Sequence, residues 1–398
     1  MIVLYALSVL TILQGIYTLI DGLRAARYMR SARGNWGSDP ELLVKQGSDP
    51  ELPRVSVFCP CKGLDPEFEK NVRSVLAQDF PAFNVSFIVE SSDDPAYTLL
   101  KGIGANVVIA GAANDCGQKV HNLKYAIEHA NTPADVYVFC DSDARYPRTW
   151  LRDLLAPLES EGVGVSSGYR WYVADRFHIP TLLRSAWNAS ALSMLGDHNR
   201  NFAWGGSLAI RRETFERIGV LEAWRGSVSD DYAITRAAQR AGLKIHFVPS
   251  CLIPSHGECS FGELLEFTTR QIIITRVYHP QLWRIGLIAQ TVFNLTFVAL
   301  LVAMVNGNVL AAGAWIVIYA LSSARAAIRH SAVRTVVHDP SLSRFAWFYI
   351  LSSPVVALLY QYNMVVSALT STIEWRQIHY TLIGPNETRV RRSSASAS

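Results

Sequence analysis

The distribution of apolar residues predicts a transmembrane helix at the start of the chain. Residues 3–20 hold one glutamine and no charge, and 18 residues at a rise of 1.5 Å roughly match the core of a bilayer. Four arginines follow directly, at Arg24, Arg27, Arg30 and Arg33. Because basic residues collect on the cytoplasmic side, we expect an uncleaved anchor with the chain that follows it in the cytoplasm.

Two further uncharged runs lie near the other end of the chain. Residues 285–324 are interrupted only by Asn306-Gly307-Asn308, which predicts two helices joined by a tight turn. Residues 345–373 include Pro354 and are too many for one untilted crossing but too few for two. The sequence leaves the number of crossings open, and we expect the Pro354 segment to be re-entrant or in-plane.

Between these parts, short β-branched runs alternate with segments of helical pattern. The runs occupy residues 55–59, 85–89, 106–110 and 136–140, and they are apolar at successive positions. Strands that are apolar on both faces are typical of a parallel sheet covered on both sides. Helix starts are indicated at Asp65-Pro66, Asp94-Pro95 and Pro147. We therefore predict an open α/β sheet whose loops at the carboxyl ends of the strands converge on one cleft.

The composition supports a membrane component and excludes other classes. The 398 residues are 50% hydrophobic and 18% charged, and the net charge of +4 is too small to suggest wholesale nucleic-acid binding. Six cysteines without C-x-x-C spacing disfavour disulfides and a structural zinc. Cys59-Pro60-Cys61 is interpreted as two buried thiols at a strand end, with a redox pair as the alternative. The repeated GSDPEL at 37–42 and 47–52 is interpreted as linker.

Two carboxylates emerge one residue apart directly after the apolar run 136–140, at Asp141-Ser142-Asp143. Alternate carboxylates in a turn suit a hard divalent cation, Mg²⁺ or Mn²⁺, which also takes phosphate oxygens and water as ligands. The alternative is that one of them caps the helix that opens near Pro147. The position at a strand end favours binding of a metal and a diphosphate.

Six motifs in this order resemble glycosyltransferase family 2 and its close relatives, in particular the ceramide glucosyltransferase type with its bacterial hopanoid-associated members. The resemblance covers about residues 54–280. The motifs are CPCKG at 59–63, VESSDDPA at 89–96, GQKVHNL at 117–123, DSDAR at 141–145, WGGSLAIRRE at 204–213 and SDDY at 229–232. The resemblance implies a GT-A nucleotide-diphospho-sugar transferase fold with flanking transmembrane helices and an inverting mechanism.

The resemblance also implies roles for residues on the donor side. The implied donor positions are Pro60, Lys62, Glu90, Asp93, Lys119 and Asp141. Of these, Glu90 and Asp93 match the acidic uridine-binding position, and Lys119 falls near the diphosphate. Asp141 and Asp143 match the metal motif, with Asp143 as the direct ligand. The alternatives are surface polarity for Glu90 and Asp93, a helix cap for Asp93, and a solvated lysine for Lys119.

On the acceptor side the resemblance implies that Asp231 is the base that removes the acceptor proton. Asp230 either accompanies it or caps the helix that follows. The remaining implied positions on this side are Gly205, Gly206, Arg270 and Arg276. A tight turn is the alternative for the two glycines. The family's (Q/R)-x-x-R-W motif is represented here by residues 270–274, in which the Arg-Trp pair is replaced by two isoleucines.

We accordingly divide the chain into an anchor at 1–22, a linker at 23–53, a cytoplasmic GT-A domain at 54–282, membrane helices at 283–373 and a basic interfacial tail at 374–398. The expected protein is a multi-pass membrane enzyme, as in a bacterial inner membrane. It would move a hexose from a UDP-sugar to a hydroxyl of a ceramide-like or hopanoid lipid in the bilayer, assisted by a metal. The alternatives are a processive polysaccharide synthase, which the missing Arg-Trp pair disfavours, and a non-catalytic nucleotide-binding membrane protein.

Overall fold

The structure, a computed structural model, describes residues 1–31, 52–130 and 133–392. In these residues the chain forms two compact units, which we call the helical unit and the sheet unit. The helical unit contains residues 1–30, 172–196 and 257–371. The described part of the sheet unit contains residue 31 and residues 52–130, 133–171, 197–256 and 372–392.

The described residues form ten strands and fifteen α-helices. The strands are β1 (Val55–Pro60), β2 (Phe83–Val89), β3 (Val107–Ile109), β4 (Val136–Cys140), β5 (Val163–Tyr172), β6 (Ser207–Arg211), β7 (Lys244–Ser255), β8 (Thr372–Trp375), β9 (Ile378–Gly384) and β10 (Glu387–Arg392). The helices are α1 (Ile2–Ser31), α2 (Phe68–Leu76), α3 (Pro95–Gly102), α4 (Gln118–Glu128), α5 (Trp150–Leu155), α6 (Ile179–Leu192), α7 (Arg212–Arg217), α8 (Val220–Ala223), α9 (Asp230–Arg240), α10 (Phe261–Tyr278), α11 (Pro280–Val305), α12 (Val309–Val333), α13 (Pro340–Arg344), α14 (Ala346–Leu351) and α15 (Ser353–Leu369).

Seven of the described strands form one sheet in the order β3-β2-β1-β4-β6-β5-β7. The four strands expected from the sequence are confirmed, and they are parallel, since β1 pairs with β2 and β4 and β2 pairs with β3. The sequence did not predict β6, which runs antiparallel to both β4 and β5. Because Cys140 pairs with Ser207, the end of β4 lies beside the start of β6.

Helices cover both faces of this sheet, as the apolar strand patterns predict. On one face Val57 belongs to a buried cluster with Val72 and Trp150 from α2 and α5. On the other face Phe58 belongs to a cluster with Leu123 and Trp224. Adjacent strand residues are therefore buried in the cores on opposite faces of the sheet, and for this reason these strands contain few polar positions.

The helix starts agree with the sequence in part. Asp94 caps α3, where its carboxylate accepts from the amide of Ala96, so this predicted start is confirmed. The predicted start at Pro66 is displaced to Phe68, because Glu67 takes a left-handed backbone conformation with φ 58°. Helix α9 is capped by Ser229, so the interpretation of Asp230 as its N-cap is wrong.

Three helices within the described residues, α1, α11 and α12, are long and apolar enough to cross a membrane. The predicted hairpin is confirmed, since α11 ends at Val305 and α12 begins at Val309, capped by the Asn308 side chain. Pro354 lies in the first turn of α15, where its missing amide proton costs nothing. Helix α15 has 17 residues, and its in-plane or re-entrant placement stays a prediction.

The ends of the chain differ from the division expected from the sequence. Helix α1 continues to Ser31, nine residues beyond the expected anchor, and the GSDPEL repeat lies almost wholly outside the described residues. Residues 372–392, which include the described part of the expected interfacial tail, form a three-stranded antiparallel sheet with order β10-β9-β8 in the sheet unit. The sequence did not predict this sheet, and the interfacial role of the tail stays a prediction. Alternate residues Ile378, Tyr380 and Leu382 are buried, which is the period of a strand with one covered face.

The packing of β5 against β7 generates a stability prediction at Gly168. A Cβ atom at Gly168 would lie 2.1 Å from the carbonyl oxygen of Cys251 and 2.6 Å from Ser207 Oγ. Gly168→Ala should therefore lower the free energy of unfolding by about 1–3 kcal/mol or more, since a closely packed interior resists added volume. Gly102→Ala, where a Cβ meets nothing within 4 Å, is the control. Equal melting temperatures for both variants in detergent would contradict this account.

Candidate active site

The candidate site lies at the carboxyl ends of the parallel strands. Asp141 follows the last residue of β4, and Gly205-Gly206 immediately precede β6. Since the end of β4 pairs with the start of β6, these glycines lie beside Asp141. A Cβ atom at Gly206 would come within 2.5 Å of Asp141 Oδ2. The carbonyl of Trp204 also accepts from the Ser207 amide, so the glycines form a tight turn and allow a close approach to carboxylates.

Lys119 joins the two sides of the site. Its ammonium Nζ lies 2.8 Å from Asp141 Oδ1 and 3.3 Å from Asp230 Oδ1, and its side chain is 14% exposed. Burial alone would lower the pKa of Lys119, but the charges of Asp141 and Asp230 outweigh it and raise the pKa above its usual range. Lys119 therefore stays a fixed positive charge, and it is not the solvated lysine that the sequence left as an alternative.

Arg170 is a site residue that the sequence did not reveal. Its guanidinium contacts Asp143 in bidentate fashion at 2.5 and 2.8 Å, and Nη2 also donates to Asp141 Oδ2 at 2.8 Å. The guanidinium carbon lies 5.0 Å from the centre of the Trp204 ring. Although burial raises the pKa of Asp143, the charge and hydrogen bonds of Arg170 leave that pKa below its ordinary value.

Arg170 reaches this place because β5 and β4 both run antiparallel to β6, and so point in the same direction. The carboxyl end of β5, where Arg170 lies, is therefore at the edge of the sheet from which Asp141 emerges. A motif search centred on carboxylates does not find such a residue. The pairing of three strands is needed to place it.

The first turn of α9 presents two aspartates. Asp231 Oδ1 accepts hydrogen bonds from Ser229 Oγ and the Tyr232 amide, and Oδ2 lies 3.4 Å from the amide nitrogen of Gly205. Asp231 is partly exposed. The start of α9 is held against the start of α4, since the Gly117 amide donates to the carbonyl of Ser227. Asp231 and Lys119 thus come from two helix N-termini fixed side by side.

Asp230 is 4% exposed, and its Oδ2 accepts no hydrogen bond within the described residues. Burial, together with the nearby charges of Asp231 and Asp141, raises the pKa of Asp230 to about 6, although Lys119 opposes the shift. A Cβ atom at Gly205 would lie 2.1 Å from Asp230 Oδ2. The buried carboxylate thus requires glycine in the facing turn.

A second cluster surrounds Glu90 after β2. Lys62 Nζ lies 2.6 Å from Glu90 Oε2, while Arg392 at the end of β10 forms an ion pair with Oε1. Burial raises the pKa of Glu90, but the hydrogen bond and charge of Lys62 and the charge of Arg392 reverse this and lower it. Pro60 ends β1 next to this cluster in sequence. Asp93 is exposed and its amide donates to Ser91 Oγ, while its neighbour Asp94 caps α3.

The remaining predicted residues, Arg270 and Arg276, belong to α10 in the helical unit. Arg270 Nη1 lies 3.1 Å from Glu266 Oε1 one turn earlier. Arg276 donates to the carbonyl of Thr370 and to Ser371 Oγ. Their proposed part in binding an acceptor or a diphosphate stays a prediction.

The chemistry of the Asp141 and Asp143 pair fits a divalent cation that is completed by diphosphate oxygens and water. Within the described residues, no group of three or more His, Cys, Asp and Glu side chains could hold a metal ion by itself. The pair is instead shared with Arg170 and Lys119. A cation bound here would therefore depend on the donor for further ligands and would compete with Arg170.

Comparisons with known proteins found a matching family and several similar proteins. The family model described as Glycosyl transferase family 21 matches residues 6–387. A ceramide glucosyltransferase from Komagataella phaffii (strain GS115 / ATCC 20864) is 41% identical over 46 residues. That segment is 12% of this chain and spans only 9% of the length of the relative.

The chain is also similar to parts of two solved structures. The mannosyltransferase PcManGT from Pyrobaculum calidifontis, in complex with GDP-Man and Mn²⁺, has a TM-score of 0.48 and 17% identity over 92% of this chain and 98% of its own. Glucosyl-3-phosphoglycerate synthase from Mycobacterium tuberculosis, in complex with Mn²⁺, UDP-glucose and phosphoglyceric acid, has a TM-score of 0.39 and 20% identity over 57% of this chain and 79% of its own.

The match to the family model assigns the protein to the glycosyltransferase class. The family model covers nearly the whole chain, and the chain belongs to glycosyl transferase family 21. The resemblance found in the sequence is thereby confirmed.

The raised pKa of Asp230 predicts a pH-dependent stability. A folded-state pKa near 6, above the ordinary 3.8, means that the folded protein holds this proton more tightly than the unfolded chain. The stability of the wild type relative to Asp230→Asn should therefore fall as the pH rises from about 4 to about 6, and then level off. Melting temperatures of both proteins between pH 4 and 8 measure this difference. A difference that grows in the opposite direction would contradict the assignment.

The contacts of Arg170 predict a metal-dependent stability. Arg170→Met leaves Asp141 and Asp143 without their shared guanidinium, so in EDTA the variant should lose about 1–3 kcal/mol of unfolding free energy. Mn²⁺ should raise the melting temperature of the variant more than that of the wild type, because the cation no longer competes with an arginine. Arg217→Met removes an exposed arginine and is the control. If Mn²⁺ raised the melting temperature of all three proteins equally, Arg170 would not compete with the cation for Asp141 and Asp143.

Proposed function

We propose that this protein transfers a hexose from a UDP-sugar to a hydroxyl of a membrane lipid, with inversion at the anomeric carbon. The acceptor would be a ceramide-like or hopanoid lipid. The observation that carries the proposal is the link between the two halves of the site. Lys119 contacts Asp141 on the donor side and Asp230 on the acceptor side, and the Gly205 amide lies against Asp231.

Asp231 is suited to act as the general base. Ser229 Oγ and the Tyr232 amide hold Oδ1, which leaves Oδ2 with one long contact to the Gly205 amide. In a single displacement the acceptor oxygen bonds to the anomeric carbon as the bond from that carbon to the diphosphate breaks. The acceptor proton passes to Asp231, and UDP leaves with the electron pair. A base in this position contributes about 10²- to 10⁴-fold in rate.

The cations of the site are placed to stabilise the leaving group. Lys119 is buried and permanently charged, and Arg170 has the planar geometry that matches phosphate oxygens. Asp141 and Asp143 would hold Mg²⁺ or Mn²⁺, which when bound neutralises charge on the departing diphosphate. In the nucleoside part of the site, Lys62 and Arg392 orient Glu90 for a hydrogen bond to a uridine base.

A lipid acceptor is supported by the apolar helices. Helices α1, α11 and α12 each have the length and hydropathy of a membrane span. We propose a multi-pass protein of a bacterial inner membrane, with the sheet unit on the cytoplasmic side, where the arginines after residue 20 would lie. This placement would bring a nucleotide-sugar from the cytoplasm to a lipid hydroxyl in the same leaflet.

The proposed reaction is tested with membranes that contain the full-length protein. They are incubated with isotopically labelled UDP-glucose, UDP-galactose or UDP-N-acetylglucosamine, and the lipid extract is examined by mass spectrometry. One new glycolipid with a single added hexose is expected, with β-configuration at the new linkage. A polymeric product would favour a processive synthase. No transfer from any of these donors to a broad lipid panel would favour a non-catalytic nucleotide-binding protein.

Replacing the base should separate chemistry from binding. Asp231→Asn keeps the side-chain shape but removes the basic oxygen, so the transfer rate should fall about 10²- to 10⁴-fold while UDP binding changes little. The control is Glu222→Gln, which removes an exposed carboxylate from α8. Radiolabel transfer and calorimetric UDP binding are the two measurements. Full transfer activity in Asp231→Asn would rule out its role.

A further inference from the structure

We propose that the C-terminal sheet β8–β10 forms part of the donor site, with Arg376 as a ligand of the donor diphosphate and Arg392 as the residue that positions Glu90. The inference rests on the proposed function, since it concerns the nucleotide-sugar that the site would take. It concerns residues that lie beyond every motif that carried the resemblance in the sequence. It also gives this segment a role other than the expected interfacial one.

The C-terminal sheet is fastened to loops that border the candidate site. The hydroxyl of Tyr380, a fully buried residue of β9, accepts from the backbone amide of Gln118 at the start of α4. Thr388 Oγ1 donates to the carbonyl of Gly226, in the loop that leads to Asp230 and Asp231. A buried hydroxyl contact of this kind is costly to leave unsatisfied. The sheet therefore has fixed attachments to both helix N-termini of the site.

Gly226 shows how closely the sheet approaches that loop. It has a left-handed φ of 65°, and a Cβ atom there would lie 2.1 Å from the carbonyl oxygen of Asn386. The Asn386 side-chain amide in turn donates to the carbonyls of Ala223 and Arg225. The Gly226 approach is between two backbone segments, and the two hydrogen bonds join an uncharged side-chain amide to backbone carbonyls, so these contacts do not depend on flexible surface charges.

Arg376 extends from the turn between β8 and β9 to the metal-motif side of the site. Its Nη2 forms an ion pair with Asp65 Oδ1, and Asp65 Oδ2 lies 3.3 Å from the Oγ of Ser142. Ser142 is the residue between Asp141 and Asp143. The Asp65 side chain is 8% exposed, so Arg376 brings its charge into an enclosed group of carboxylates.

The turn that carries Arg376 has an unfavourable backbone for its sequence. Arg376 and Gln377 have φ values of 53° and 64°, and they connect the paired residues Trp375 and Ile378. A two-residue turn with positive φ at both positions usually contains Asn and Gly. Each such residue with a β-carbon costs on the order of 1 kcal/mol or more. A strained backbone conformation that is retained at a site indicates a function for the residue that adopts it. In Arg376 the functional group is the guanidinium, which reaches Asp65.

Arg392 makes the corresponding contact at the other cluster. Its Nη2 donates to Gln118 Oε1 at 2.6 Å, and Nη1 pairs with Glu90, whose other oxygen pairs with Lys62. The same sheet thus supplies one arginine to Asp65 and another to Glu90. Guanidinium groups bind carboxylates and phosphates with the same pair of N–H donors. A bound diphosphate can therefore replace Asp65 as the partner of Arg376.

The test uses purified full-length protein in detergent with Mn²⁺, and three probes: UDP, uridine and inorganic pyrophosphate. The main variant is Arg376→Gly, because glycine fits the left-handed turn and removes only the side chain. Its matched control is Gln377→Gly, which relaxes the same turn and keeps Arg376. Arg376→Gly should lower the affinity for UDP and for pyrophosphate about tenfold or more, as expected for a lost charge-assisted contact. Its affinity for uridine should not change.

Arg392→Ala should lower the affinity for UDP and the affinity for uridine by the same factor, because Arg392 positions Glu90, which would bind the uridine base. Its control is Arg391→Ala, which changes an exposed neighbour on the same strand and should bind all three probes like the wild type. Should Arg376→Gly lose stability because Asp65 becomes unpaired, Arg376→Gly with Asp65→Asn restores charge balance and should still lose UDP affinity.

The outcomes separate this inference from the proposed function. If the wild type binds UDP and Arg376→Gly binds it equally well, the inference is overturned and the proposed function stands. If Arg376→Gly weakens UDP and uridine alike, the diphosphate role of Arg376 is also overturned. If the wild type binds neither UDP nor pyrophosphate, the proposed donor is wrong, and the inference falls with it.

Discussion

The site depends on one buried ammonium group. Lys119 Nζ holds Asp141, which follows a central strand, and Asp230, which opens a helix about 90 residues later in the chain. The lysine stabilises both carboxylates, because burial of an unpaired charge is expensive. The lysine therefore has a structural role in this part of the molecule. It allows Asp141, after β4, and Asp230, at the start of α9, to be adjacent.

The backbone around this lysine is arranged to let the charges approach. Gly205 and Gly206 form a turn in which a side chain would not fit. A Cβ atom at Gly205 would clash with Asp230, and a Cβ atom at Gly206 would clash with Asp141. Gly117, at the start of α4, would place a Cβ atom 2.9 Å from the carbonyl oxygen of Val228. These glycines are needed for close packing of polar groups, which a composition or a turn rule does not reveal. A larger residue at any of them would separate the helix start from the carboxylates.

The sequence predicted the part of this fold that depends on local pattern. The four parallel strands, the helix start at Asp94, the turn at residues 306–308 and the long apolar helices follow from hydrophobic runs, turn residues and cap residues. It did not predict Arg170, because its contacts to Asp141 and Asp143 arise from antiparallel pairing across β6.

It also did not predict the C-terminal sheet. The contact of Arg376 with Asp65 spans 311 residues, and that of Arg392 with Glu90 spans 302. Residues 374–380 mix aromatic and basic side chains, and that composition is shared by membrane-interface segments and by exposed strands. Only the tertiary contacts distinguish the two. The roles of the site residues were thus inferred from resemblance, whereas their partners required coordinates.

The charges of the site bear on how a donor and a cation would bind. Five carboxylates, Asp65, Asp141, Asp143, Asp230 and Asp231, are gathered around Lys119, Arg170 and Arg376, so this group holds two more carboxylates than cations. A diphosphate brings more negative charge, so it would be repelled unless positive charge arrives with it. A divalent cation on Asp141 and Asp143 would also free Arg170 to contact the phosphates. Electrostatics therefore favours joint binding of the cation and the nucleotide-sugar over either one alone.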